Sequence, residues 1–119
     1  MKFAVTAQGP EVESSVDPRF GRARYFRVVD SETGQQTVVD NATTASALQG
    51  AGIQAAKTLA NLGVSAVLTG HVGPKAWSAL EAAKIEVYAA SGISVDQAIK
   101  AFAAKQLTLM TASNAQAHW

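Results

Sequence analysis

Residues 64–76 read VSAVLTGHVGPKA. The first six, Val64 to Thr69, form a short and almost wholly apolar run, which suits a strand buried on both faces of a sheet. Gly70-His71-Val72-Gly73 interrupts the run, and Pro74 fits the first position of a helix, where a missing N–H costs no hydrogen bond. Ala76, Trp77, Leu80 and Ala83 follow at helical spacing. A buried strand that feeds a helix through a glycine-lined turn is a βα unit, and such units build parallel sheets.

Downstream the unit repeats. Ile85 to Ala89 reads as a second buried strand, and Ser91-Gly92 as a turn. Ser94 fits an N-cap for a helix from Val95 to Lys105, with Val95, Ala98, Ile99 and Phe102 on one face. Leu107 to Met110 suits either a short strand or an extended tail, and residues 113–119 read as a loose C-terminal tail. Upstream, Ile53, Ala56, Leu59, Ala60 and Leu62 recur at helical spacing until Gly63 stops them. Ala42 to Ala47 reads as a loop or helix entry.

Before that the period changes to two. Lys2 to Ala7 is a strand; Arg24 to Asp30 and Gln35 to Asn41 are two more, joined into an antiparallel hairpin by turn residues Ser31 to Gly34. Glu11 to Gly21 is polar, contains Asp17-Pro18, and reads as an exposed loop. The order β-β-β-α-β-α-β-α predicts one α/β domain over residues 1–112. Its five-stranded mixed sheet has three antiparallel strands followed by two parallel ones.

A chain of 119 residues with 48% hydrophobic residues suits a single packed core. No apolar run approaches the roughly 20 residues needed to cross a bilayer, and the first residues are too strand-like for a signal peptide. These features predict a soluble cytoplasmic protein. There is no cysteine, so neither a disulfide nor a thiolate ligand is available, and a soft metal must arrive with its own sulfur or rely on His, Met or backbone groups.

The net charge is only +1, but all four arginines fall in one stretch, at positions 19, 22, 24 and 27. Such a cluster implies an anionic partner. Arg24 and Arg27 read as the solvated face of a strand. Arg19 and Arg22 flank Phe20-Gly21 and suit either a solvated loop or an anion site.

The segment Gly70-His71-Val72-Gly73-Pro74-Lys75 lies between a strand's carboxyl end and a helix N-terminus, where open α/β sheets collect ligands and where free N–H groups favour anions. Its glycines either admit a ligand to the backbone or serve only the turn. Gly50-Ala51-Gly52 opens the preceding helix and carries the same two readings, anion contact or close helix packing. His71 is the one metal-ligand candidate; His118 sits beside the last residue. Phe20 lies in a loop, where it could line a pocket. No Walker motif, GxGxxG, GxSxG elbow or carboxylate pair at a buried strand end is present, which argues against hydrolysis and for binding.

The pieces KFAVTA, VDPRFGRARYFRVVD, GAGIQAAKTLANLGVSAVLTGHVGPKAWSAL and KIEVYAASGISVDQAI, in this order, resemble the dinitrogenase iron-molybdenum cofactor-binding family. The resemblance implies a ribonuclease-H-like three-layer fold with a five-stranded mixed sheet. It implies a non-enzymatic role in binding, carrying or assembling a molybdenum-containing metal-sulfide cluster. For cysteine-free members it implies a molybdenum-copper sulfide cluster held without covalent attachment. Many relatives carry histidine just before the GAG segment; this chain has Gln49, which leaves His71 as the metal candidate.

Such a cluster is a compact polyanion. Arg19, Arg22 and Lys75 would supply charge, and Gly50, Gly52, His71 and Gly73 backbone donors. Gly70 and Gly73 would give close approach, Phe20 and Val72 an apolar wall, and Gly21 belongs to the same candidate set. The expected partners are the anionic cluster and a protein that donates or accepts it, with no nucleic acid and no membrane. The competing reading is a regulatory or scaffold module that binds a protein and no metal.

Overall fold

The computed structural model describes residues 1–42 and 50–114. The expected Ala42–Ala47 entry (beyond Ala42), Gln49, and residues 115–119 of the expected tail, His118 included, lie outside the described residues. Six strands form one sheet: β1 (Lys2–Ala7), β2 (Tyr25–Asp30), β3 (Gln36–Asp40), β4 (Ala66–Thr69), β5 (Glu86–Ala89) and β6 (Thr108–Leu109). Among the described residues, three helices alternate with the later strands: α1 (Ala51–Asn61), α2 (Pro74–Ala82) and α3 (Val95–Ala103).

The strand order is β3-β2-β1-β4-β5-β6. The strand β1 sits inside the sheet, antiparallel to β2 and parallel to β4. β2 and β3 form the expected hairpin, and β5 runs parallel to β4. The expectation of five strands is corrected by β6, which pairs antiparallel with β5 through Tyr88↔Leu109 and Ala89↔Thr108. Two residues carry no readable periodicity; the open edge of β5 supplies their partners.

The alternation of β1 builds a core on each face of the sheet. Ala4, Phe26, Val28, Val67 and Val87 pack with Ala55, Ala56 and Leu59 of α1 and with Ala76 and Leu80 of α2. On the other face Phe3, Val5, Ala66 and Leu68 pack with Val95 and Ala98 of α3, and the Phe102 ring lies 4.6 Å from that of Phe3.

The helix boundaries follow local chemistry. Pro74 opens α2, and Gly63, at φ +78°, follows the end of α1. Ser94 caps α3 by accepting from the Gln97 N–H, while the Gln97 side chain accepts from the Ser94 N–H. After α2 the left-handed position is held by Lys84 at φ +60° instead of glycine. Lys84→Gly should therefore stabilise the fold by about 1 kcal/mol, read as a raised denaturation midpoint.

Candidate functional site

Three loops meet at the carboxyl ends of β1 and β4. The first joins β1 to β2. Its polar composition predicts an exposed loop, yet Val16, Asp17, Phe20 and Gly21 are buried. The backbone explains the difference. The Asp17 N–H donates to the Thr6 carbonyl at 2.8 Å, Val16 donates to Ile93 at 2.9 Å, and Val95 donates to Ser14 at 2.8 Å. Further on, Arg19 and His71 pair as a parallel bridge, with the Phe20 N–H donating to the His71 carbonyl and the His71 N–H to the Pro18 carbonyl. The loop thus continues the sheet beyond the end of β4.

A buried polar knot fixes this junction. Thr6 Oγ1 lies 2.7 Å from the Asp17 carbonyl oxygen and 2.8 Å from Thr69 Oγ1. The Asp17 carboxylate, buried itself, accepts from the Arg19 backbone N–H at 3.0 Å and faces Arg19 Nε at 3.6 Å. Arg19 is thereby tethered through Nε while its side chain stays half-exposed.

The second loop enters α1 and the third enters α2. A Cβ on Gly21 would lie 2.6 Å from the Gly52 nitrogen, and one on Gly52 would lie 2.7 Å from Ala76 Cβ. The Arg19–Arg22 segment, the first turn of α1 and the first turn of α2 are therefore in direct contact. Neither helix has a side-chain cap, and neither has an acidic residue in its first turn. The leading N–H groups of both helices have no intrahelical acceptor, and both dipoles place positive potential at the same place. Lys75 is exposed on the first turn of α2, and Gly50 is exposed at the head of α1.

The structure thus brings Arg19, Gly21, Arg22, Gly50, Gly52, Gly70, His71, Gly73 and Lys75 into one neighbourhood and revises several of their roles. Phe20 and Val72 are not an apolar wall facing a ligand: both side chains are buried in the core beneath α1 and α2. Gly70 is buried and serves packing, since a Cβ there would meet Pro18 Cα and O at 2.8 Å. Gly21 and Gly52 likewise let the loop and the two helices touch. Gly50, by contrast, adopts φ +78°, and among the described residues no atom lies within 4 Å of where its Cβ would stand. Arg24 and Arg27 belong to the hairpin, as their strand positions imply: Arg24 Nε faces Asp40 at 3.7 Å, and Arg27 Nη1 donates to the Pro10 carbonyl at 3.0 Å.

Three contributors escape local sequence reasoning. Thr6 and Thr69 could have been noticed as hydroxyls near the ends of two apolar strands. Asn114 carries no such signal. It falls at the start of the expected loose tail, yet its side chain accepts from the Val72 N–H at 2.8 Å and donates to the Gly70 carbonyl at 3.0 Å.

Residues 1–105 match the dinitrogenase iron-molybdenum cofactor family. An uncharacterized protein of Methanocaldococcus jannaschii is 34% identical over 105 residues, which cover 86% of this chain and 85% of the relative. The apo form of the orange protein from Desulfovibrio gigas superimposes with a TM-score of 0.92 at 45% identity, covering 96% of each chain. A NifB-like protein from Thermotoga superimposes with a TM-score of 0.86 at 32% identity, covering 96% of this chain and 97% of the other. With a family match that spans β1 to β5 and the helices α1 to α3, the chain belongs to the dinitrogenase iron-molybdenum cofactor family.

Proposed function

We propose that this protein binds and carries a molybdenum-containing metal-sulfide cluster without covalent attachment, in the angle between the first turns of α1 and α2. One observation carries the reading. Two helix N-termini touch, both lack a side-chain cap and an acidic first turn, and the Arg19–Arg22 segment is packed against one of them. That arrangement suits a polyanion.

The donor set matches the chemistry of such a cargo. No cysteine exists in the chain, and among the described residues no three His, Asp or Glu side chains gather to hold a bare cation. A thiomolybdate-copper cluster supplies its own sulfide to its metals. The protein then contributes charge from Arg19, Arg22 and Lys75 and N–H donors from the two helix heads and Gly73. His71 is the candidate side-chain ligand to copper. Charge-assisted hydrogen bonds contribute about 1.5–3 kcal/mol each, so a few reach useful affinity. The family and the likeness to the orange protein support a carrier over a catalyst, with a cluster-donating or cluster-accepting protein as partner.

The test is direct. Apo-protein mixed with tetrathiomolybdate and copper should retain visible absorption after desalting. Arg19→Ala combined with Arg22→Ala should lower retention at least tenfold, with the fold kept as judged by circular dichroism. A colourless wild-type protein would favour the metal-free interaction module; undiminished retention in the double variant would remove the arginine loop from the site.

A further inference from the structure

The turn Gly70–Gly73 must present N–H groups, and not carbonyl oxygens, if an anion is to sit against it. Three consecutive carbonyls in this turn are engaged elsewhere. The His71 carbonyl accepts from the Phe20 N–H at 3.1 Å. The Gly70 carbonyl accepts from Asn114 Nδ2 at 3.0 Å, and the Val72 carbonyl accepts from the Asn114 backbone N–H at 3.1 Å. Asn114 Oδ1 also takes the Val72 N–H at 2.8 Å. The turn is thus held from two sides, by residues 18–20 on one and by Asn114 on the other.

We infer that Asn114 is a positioning residue for cluster binding, fixing the conformation of the Gly70–Gly73 turn by holding the Gly70 and Val72 carbonyl oxygens and the Val72 N–H. It touches the turn and not the cluster, and it acts through the loop on which His71 and Gly73 sit. It lies beyond residue 105, the last residue of the family match. The inference rests on the cluster-carrying reading of the site.

Without the side-chain amide, the Gly70 carbonyl and the Val72 N–H both lose their partners, and the turn that carries His71 and Gly73 loses the fixed conformation on which binding depends. The amide satisfies a donor and an acceptor two residues apart, which an apolar side chain of similar volume cannot do.

Two variants separate this role from plain packing. Asn114→Leu keeps the volume and loses the amide; Asn114→Gln keeps the amide on a longer stem. In the apo-protein, amide exchange at Val72 should accelerate at least tenfold in Asn114→Leu and less in Asn114→Gln. Loaded with tetrathiomolybdate and copper, Asn114→Leu should lose the adduct about tenfold faster after desalting, and Asn114→Gln should recover part of the loss.

Wild-type retention in Asn114→Leu, despite a faster Val72 amide, would overturn the positioning role and leave the site reading intact. Equal losses in both variants, in step with their thermal midpoints, would reduce Asn114 to a structural contact and overturn it as well. Failure of the wild-type protein to hold the adduct would overturn the site reading and this inference together.

Discussion

Phe20→Ala is expected to destabilise the fold by about 3–5 kcal/mol, the range for emptying a buried aromatic site. The ring is 1% exposed, and its centroid lies 6.3 Å from that of Phe26 in a stacked arrangement. It packs in the same cluster as Val72, Ala76 and Leu59, so truncation opens a cavity bordered by two helices and the sheet. The measurement is a denaturant midpoint at unchanged slope. If Phe20 lined a ligand pocket, the alanine variant would keep its stability and lose only cargo. A loss under about 1 kcal/mol would therefore restore the wall role that burial argues against.

Gly70→Ala should be nearly as damaging for the opposite reason. A Cβ there would lie 2.8 Å from Pro18 Cα and O and 3.0 Å from Pro18 Cβ. Two of the three obstacles are backbone, so no side-chain rotation relieves them. Overpacking of this kind costs about 1–3 kcal/mol. The damage reaches the site because the same Pro18 carbonyl accepts the His71 N–H. Pushing Pro18 aside separates the arginine loop from the turn. Heteronuclear NMR should show the largest shift changes at Pro18–Phe20 and His71, together with loss of cluster retention. Unchanged shifts at residues 18–20 would mean the contact is softer than the geometry implies.

Much of the architecture was legible before any coordinates. Apolar periodicity placed β1, β2, β4, β5 and all three helices, and the punctuation at Gly63, Pro74 and Ser94 placed their ends. These signals are local, and each has a local cause. The order of residues 11–21 does not: its polar side chains suit a loop, while its rigidity comes from backbone partners such as Ile93 and His71, far along the chain. The strand β6 lies within Leu107 to Met110, which sequence alone leaves between strand and tail, because its two residues are completed by β5.

For the site, the neighbourhood was readable and the direction of side chains was not. Glycines at 21, 50, 52, 70 and 73 all looked available to a ligand. Three of them turned out to be contact points between backbones, and only spatial neighbours could reveal that. Phe20 and Val72 sit among glycines in loops, where no alternation tells which side points inward. Asn114 is one polar residue in an unpatterned stretch, and its importance comes wholly from its contact with residues 42 and 44 positions earlier.

The interior place of β1 bears on how the chain emerges from the ribosome. Its parallel partner, Ala66–Thr69, is translated long after it, with the whole hairpin and α1 in between. Until then the nascent meander has an unpaired flank at Phe3–Val5 and two greasy faces with no helices over them, the kind of surface that holdase chaperones seize. Delivery of β4 gives β1 its second neighbour, and a chain cut before α1 leaves that flank without its parallel partner.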